Sequence, residues 1–191
     1  MFSDVAQKLL QPGAVGVIPT DTVYGVVARA ADQAAVARLY ALKDREGKPG
    51  TIIAASLDQL TELGLKHRYL KAVEQYWPGA ISVIVPCGTE LAYLHQGKLS
   101  LAVRIPNHTG LQQLLAETGP LLTSSANHHN QVTAHTVTEA QKYFGAAADF
   151  YIDGGDLTDH QPSTVIRIID DAIEIVRQGA VTIDEAGRIT K

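Results

Sequence analysis

The stretch Pro19-Thr20-Asp21-Thr22-Val23-Tyr24-Gly25 sits between two short apolar runs, Ala14 to Ile18 and Val26 to Ala28. Apolar runs this short, bounded by turn formers, read as buried strands. The chain must therefore place two threonines, a carboxylate and a phenol between two strands of one core. Hydroxyls next to backbone amides at a strand end can hold a small polar ligand. The same residues also suit a plain hairpin or bulge, in which Thr and Asp form the turn.

Helical spacing surrounds this unit. Val5, Ala6, Leu9 and Leu10 recur as on a helix from Ser3 to Leu10, with Ser3 as a candidate N-cap, and Pro12-Gly13 ends it. Asp32 to Leu42 is the next helix, with Ala35, Val36 and Leu39 on one face. Further strands are expected at 51–55, 81–85, 99–105, 121–123, 150–152, 164–169 and 173–176. Helices are expected at 57–63, 66–76, 110–118 and 138–144, with 86–98 as an irregular link. Strands that alternate with helices imply an α/β sheet covered on both faces. The late strands lack intervening helices, so the sheet is expected to be mixed. No composition break or repeat divides residues 1–191, which are expected to form a single domain.

With 191 residues, 46% of them hydrophobic, the chain can bury a substantial core. Its net charge of −4 gives no global positive field for nucleic acid. A single cysteine, Cys87, permits no intrachain disulfide, which fits a reducing compartment. The N-terminus lacks a signal-peptide core, and no apolar run reaches the length of a membrane span. A cytoplasmic protein is expected, with no membrane partner.

Several polar groups fall at predicted strand ends. Lys43 and Arg45 follow the second helix, and their spacing points both side chains the same way if the segment is extended. Two such cations suit a polyphosphate, with Arg binding two oxygens and Lys supplying a compact charge. A solvated run balanced by Asp44 and Glu46 is the plainer reading. Neither a Walker loop nor a dinucleotide glycine fingerprint is present. Ser124-Ser125-Ala126-Asn127 offers neutral donors after an apolar strand, or a helix cap and turn. No Gly-x-Ser-x-Gly elbow surrounds those serines. Arg104 lies on an apolar strand and needs a partner, whether a ligand or a structural ion pair. Arg177 is placed similarly. His128, His129 and His135 lack a ligand set around them and read as a polar loop, with no metal site expected. Cys87 reads as an incidental thiol.

Six motifs occur in one order: Pro19 to Gly25, Lys43-x-Arg45, Ala102-Val103-Arg104-Ile105-Pro106, Ser124 to Asn127, Pro162-Ser163-Thr164-Val165-Ile166 and Val176-Arg177-Gln178-Gly179. Together they resemble the YrdC family, the threonylcarbamoyl-AMP synthases of transfer-RNA modification. The likeness spans nearly the whole chain. It implies a twisted α/β sheet with a deep positively charged cleft, and no further C-terminal domain at this length. It also implies condensation of L-threonine, bicarbonate or CO2 and ATP to threonylcarbamoyl-AMP with release of pyrophosphate. That product serves the t6A modification of transfer RNAs reading codons that begin with A. Partner proteins carry out the transfer to RNA.

The resemblance also implies roles. Lys43 and Arg45 would grip phosphates with Mg2+ carried by the nucleotide, and Ser125 and Asn127 would bind phosphate or carbamate oxygens. Thr20 and Thr22, with Tyr24 beside them, would fix threonine. Arg104 would pair with its carboxylate or with a phosphate. Ser124 would add a hydroxyl, and Ser163 and Arg177 would close over nucleotide. Three departures stand out. Glu46 follows Lys43-x-Arg45 where the family often has proline. His128, His129 and Asn130 replace small residues after Asn127. The strand from Thr51 to Ala54 carries no histidine to reach threonine. The alternative is a double-stranded RNA-binding module gripping a backbone with Lys43, Arg45, Lys48 and Arg104. A structural paralogue with a degraded site is a third class.

Overall fold

The structure is a computed structural model that describes residues 2, 4–44, 47–169, 172–184 and 187–190. Helix α1 (Val5–Leu9) leads to β1 (Val15–Ile18), which pairs antiparallel with β2 (Gly25–Arg29). Helix α2 (Gln33–Leu42) starts at Asp32, whose carboxylate accepts from the Ala35 amide at 3.0 Å. That cap satisfies an amide the helix cannot pair itself. Strand β3 (Thr51–Ile53) precedes α3 (Leu57–Glu62) and α4 (His67–Lys71). Next come β4 (Ile81–Pro86), α5 (Ala92–His95), β5 (Ser100–Arg104), α6 (Thr109–Thr118) and β6 (Leu121–Ser125). Helix α7 (Val137–Phe144) and strands β7 (Phe150–Tyr151), β8 (Thr164–Ile169) and β9 (Ala172–Arg177) follow. A small hairpin, β10 (Thr182–Ile183) with β11 (Ile189–Thr190), lies near the C-terminus.

Among the described residues, nine strands form one mixed sheet in the order β7-β1-β2-β6-β3-β5-β4-β8-β9. Three neighbouring pairs, β1–β7, β3–β5 and β4–β8, are parallel and the others antiparallel. The mixed α/β sheet matches the expectation. Three details differ from it. The expected helix at 66–76 breaks into α4 and a 3-10 turn at Glu74–Tyr76. Pro78 disfavours helical backbone at Trp77, which is extended and ends the turn. Residues 86–98 are not irregular throughout, since α5 buries Leu94 and His95; four residues are too few to show a period. Residues Ser124 and Ser125 belong to β6 itself rather than to a helix cap after it. The candidate N-cap Ser3 lies outside the described residues.

Strand residues alternate between two cores, as a two-residue repeat requires. Val26, Ala28, Ile52 and Leu122 enter the larger core, while Val27, Ile53 and Leu121 enter the smaller. Each fully buried Leu or Ile contributes about 1.5–3 kcal/mol of transfer free energy. Helices α1 and α6 close the smaller core through Val5, Leu9, Leu111 and Leu115. On that same face Thr51 pairs with Thr123, and Ile53 pairs with Arg104. Side chains paired in register share a face. The sheet thus carries Thr51, Thr123 and Arg104 on the side that α1 and α6 cover only in part.

Candidate active site

A cleft opens over this face. It is lined by Thr51, Thr123 and Arg104 from the strands, and by the motif residues that surround them. The expectation of a crevice at strand ends is therefore half met. Thr20, Thr22, Tyr24, Ser124 and Ser125 lie at ends of β1, β2 and β6, but the floor is the sheet's own surface. Ser163 and Arg177 form the opposite wall.

The turn after β1 is built around one hydroxyl. Thr20 Oγ1 donates to the Val23 carbonyl at 2.7 Å, accepts from the Thr22 and Val23 amides, and lies 3.0 Å from Thr22 Oγ1. Both threonines are buried, so this network holds their oxygens in place at the cleft wall. The Tyr24 ring is buried, and its hydroxyl donates to the Gly155 carbonyl at 2.9 Å while accepting from the Gly154 amide at 2.7 Å. Burial raises the Tyr24 pKa, so the hydroxyl stays a donor at neutral pH. Its bonds tie the turn to the 153–157 loop. Gly25 lets β2 approach β6, because a Cβ there would stand 2.5 Å from Thr123 Oγ1.

Lys43 differs from both sequence readings. It is 3% exposed and belongs to neither a solvated run nor the cleft lining. Its ammonium donates to the Ser125 carbonyl at 2.6 Å, to Asn127 Oδ1 at 2.7 Å and to the Asn127 carbonyl. Ser125 Oγ donates to the same Asn127 Oδ1 at 2.8 Å, and Asn127 Nδ2 donates to the Gln131 carbonyl at 2.6 Å. Lys43 and Asn127 thus stand behind the cleft wall and shape the loop that carries Ser125. The extended segment assumed for Lys43 and Arg45 is absent at its start. Lys43 caps α2 in helical conformation and Asp44 turns left-handed at φ 45°. Arg45 and Glu46 lie outside the described residues.

Arg104 is 3% exposed and meets a carboxylate. Its Nη1 lies 2.6 Å from both oxygens of Asp21, and Asp21 also accepts from the Asn107 amide at 3.1 Å. Sequence reading left Asp21 as a turn former. A lone carboxylate in the motif opposite a lone buried cation was the signal available. Arg177 donates through Nε and Nη2 to the Ser163 carbonyl, and Ser163 Oγ lies 2.9 Å from buried Ser82 Oγ. Gly179 permits this wall, since a Cβ there would overlap the Pro162 carbonyl oxygen and stand 2.7 Å from Ser163 carbonyl carbon. The charged residues lining the cleft are Arg104 and Arg177, and Asp21 balances the first. Thr51, Thr123 and Ser82 were read as strand residues and not assigned to the site, because a polar residue inside an apolar strand carries no spacing of its own.

The remaining candidates lie elsewhere. His128 packs edge-on against Tyr143 and Phe144, and its Nε2 sits 2.8 Å from the Tyr143 carbonyl. His129 Nε2 is 3.4 Å from Lys48 Nζ. Among the described residues, no group of three or more His, Cys, Asp or Glu could hold a metal ion. Burial, with Glu90 second, pushes the Cys87 thiol up to about 11, which leaves it protonated. No helix among the described residues is long and apolar enough to cross a membrane.

This sheet, with polar motifs gathered on one partly covered face, places the protein among α/β proteins that bind small polar ligands in a cleft. Residues 8–179 match the model of the Sua5/YciO/YrdC family, described as "telomere recombination", and the chain belongs to that family. A threonylcarbamoyl-AMP synthase of Chromohalobacter salexigens is 36% identical over 165 residues, covering 84% of this chain and 89% of that protein. Another, of Stutzerimonas stutzeri, is 32% identical over 172 residues, covering 84% and 88%. The crystal structure of P. abyssi Sua5 complexed with L-threonine superposes with a TM-score of 0.81 at 28% identity. It matches 93% of this chain, which spans 53% of that longer one.

Proposed function

We propose that this protein is a threonylcarbamoyl-AMP synthase, joining L-threonine, bicarbonate or CO2 and ATP into threonylcarbamoyl-AMP and pyrophosphate. The observation that carries the reading is the single cleft lined by Thr20, Thr22, Arg104, Ser125, Ser163 and Arg177, in a chain whose family includes synthases of that name. On this reading residues 1–191 act as one YrdC-like domain.

The chemistry asks for placement more than for a nucleophile. Threonine's amine attacks CO2, or bicarbonate with loss of hydroxide, and gives up a proton as the carbamate forms. A carbamate oxygen then attacks the α-phosphorus of ATP, and the bond from that phosphorus to the pyrophosphate oxygen breaks. Holding the reactants in line and balancing the leaving charge supplies most of the acceleration. Thr20 and Thr22 present fixed oxygens to the threonine. Ser125 would turn its hydroxyl from Asn127 Oδ1 to a phosphate or carbamate oxygen, with Ser124 beside it and Asn127 and Lys43 holding the loop. Arg177 and Ser163 meet nucleotide from the far wall. Arg45 would complete the phosphate grip. Magnesium would come carried by the nucleotide substrate, neutralising its charge. The product would pass to proteins that transfer the threonylcarbamoyl group to transfer RNA in the cytoplasm. The RNA-binding alternative loses its footing, because Lys43 and Arg104 are already engaged inside the protein.

Mass spectrometry of a reaction containing ATP, L-threonine, bicarbonate and Mg2+ tests the reading. Threonylcarbamoyl-AMP is expected, with pyrophosphate release that needs threonine and bicarbonate together. Equal release from ATP alone would overturn it.

A further inference from the structure

Strand β4 runs Ile81-Ser82-Val83-Ile84-Val85 before Pro86, and Ser82 is the polar residue in that run. Ile81, Val83 and Val85 enter the larger core, so Ser82 points to the opposite face, which bears the cleft. It pairs with Val165 of β8, and Ser163, two residues earlier, reaches the same face. Ser82 is fully buried, whereas Ser163 lines the cleft. Their hydroxyl oxygens lie 2.9 Å apart.

Satisfying every proton fixes which hydroxyl donates. A serine hydroxyl has one proton to give and two lone pairs with which to accept. Among the described residues Ser82 Oγ bonds to Ser163 Oγ alone. If Ser163 donated, the Ser82 proton would be left without an acceptor where water does not reach, which is costly. If Ser82 donates, the proton left over belongs to Ser163 and can point into the cleft. Arg177, which can only donate, approaches Ser163 Oγ through Nη2 at 3.2 Å. Both lone pairs of Ser163 Oγ are then occupied, one of them by a cation. Such a hydroxyl cannot accept from a ligand's ammonium, and it donates more strongly than an isolated one.

We propose that Ser82 is a positioning residue: by donating to Ser163 from the floor of the sheet, it makes the Ser163 hydroxyl a fixed donor aimed at an anionic oxygen of the substrates. This role rests on the synthase reading above. The Ser163 backbone is already held, since Arg177 donates to its carbonyl through Nε and Nη2. What remains free is rotation of the hydroxyl, and Ser82 settles it. The oxygens that such a donor can meet belong to the nucleotide phosphates or to the carboxylate or carbamate of the amino acid. The threonine ammonium is excluded, because Ser163 Oγ has no lone pair left for it.

The test is a double-mutant cycle in the full chain with Ser82→Ala, Ser163→Ala and both together, read by steady-state rates and thermal melts. Ser82→Ala is expected to lower kcat/KM about tenfold, the scale of one hydrogen bond. Ser163→Ala should cost at least as much, and adding Ser82→Ala to it should change the rate less than twofold. Losses that multiply in the double variant would show that Ser82 acts independently of Ser163 and overturn the proposal. So would a Ser82→Ala enzyme within twofold of the parent. A rise in KM for ATP places the donor on phosphate, a rise in KM for threonine places it on the carboxylate, and a fall in kcat alone places it on the carbamate; each supports the role. The melts read the proton itself. Ser163→Ala strands the Ser82 proton, so the double variant should melt above Ser163→Ala, and one that melts no higher would overturn the assignment. Ser82→Cys keeps the shape with a weaker donor. It should fall between the parent and Ser82→Ala, and a lower rate than Ser82→Ala would mark packing as the cause and refute donation. Should Ser82→Ala fail to fold, Ser82→Cys decides, because a rate within twofold of the parent refutes the role. A wild type that makes threonylcarbamoyl-AMP while Ser82→Ala matches it sinks this proposal alone. One that makes none sinks the synthase reading with it.

Discussion

Replacing Lys43 by Met separates a strut from a surface charge. Methionine nearly matches the volume of the side chain, so packing changes little. What disappears is a buried ammonium whose donors reach the Ser125 carbonyl, the Asn127 carbonyl and Asn127 Oδ1. A hydrogen bond to a charged group contributes about 1.5–3 kcal/mol net. The acceptors are not lost entirely to water, because Ser125 and Asn127 are half-buried. A total cost of about 2–4 kcal/mol follows, the lower end allowing for that hydration. For a domain of this size that is a fall in melting temperature of roughly 5–15 °C. Hydrogen exchange should quicken at Ala126 and Ala134, whose amides bond to Tyr24 and Ala126 carbonyls across the loop base. Synthase activity should fall with it, since Ser125 no longer has a fixed carbonyl behind it. Thermal melts, exchange at the 124–134 loop and threonylcarbamoyl-AMP formation measure the three effects. A solvated lysine would cost no more than about 0.5 kcal/mol. A Lys43→Met protein that melts within a degree or two of the parent would refute the strut.

Two further substitutions probe the frame of the site. Gly179→Ala places a methyl against the Pro162 carbonyl and Ser163 backbone, so the far wall must shift; a loss of about 1–3 kcal/mol and reduced activity are expected by urea melts and pyrophosphate assay. Asp32→Ala removes the cap of α2 and the acceptor for the Gly13 amide, which should cost about 1–2 kcal/mol at neutral pH. Those backbone hydrogen bonds hold the Asp32 pKa below its ordinary value, the Ala35 bond first. A carboxylate lowered in the folded state stabilises above its unfolded pKa, and that contribution is lost as pH falls through the folded value, below about pH 4. The gap between parent and variant should therefore narrow from pH 7 to pH 3, and a constant gap would show that the charge is irrelevant.

The sheet was legible because burial leaves a regular mark. Val26, Val27 and Ala28 form an unbroken apolar run, and a strand covered on both faces has no polar side to interrupt it. The order of strands was not legible. Nothing in residues 121–125 says that β6 lies between β2 and β3, since that choice depends on matching three surfaces at once. Short elements also escaped. Helix α5 has four residues, too few to complete a period, and is held by the burial of Leu94 and His95 instead.

The candidate site divides along a similar line. Residue types report what a group can do, and they singled out Thr20, Arg104, Ser125, Ser163 and Arg177, which meet in one cleft. Partners depend on distances in space. Lys43 reaches acceptors more than eighty residues away, and so does Arg104. Elementary electrostatics narrows the choice even so. A cation only 3% exposed must be paired or ringed by oxygens, and Arg104 and Lys43 exemplify the two solutions. Arg104 takes a carboxylate, that of Asp21. Lys43 takes carbonyls and an amide oxygen of one loop. Two cations that look alike in the sequence thus meet different partners: Arg104 faces the Asp21 carboxylate, whereas Lys43 donates to carbonyl and amide oxygens of the loop that carries Ser125.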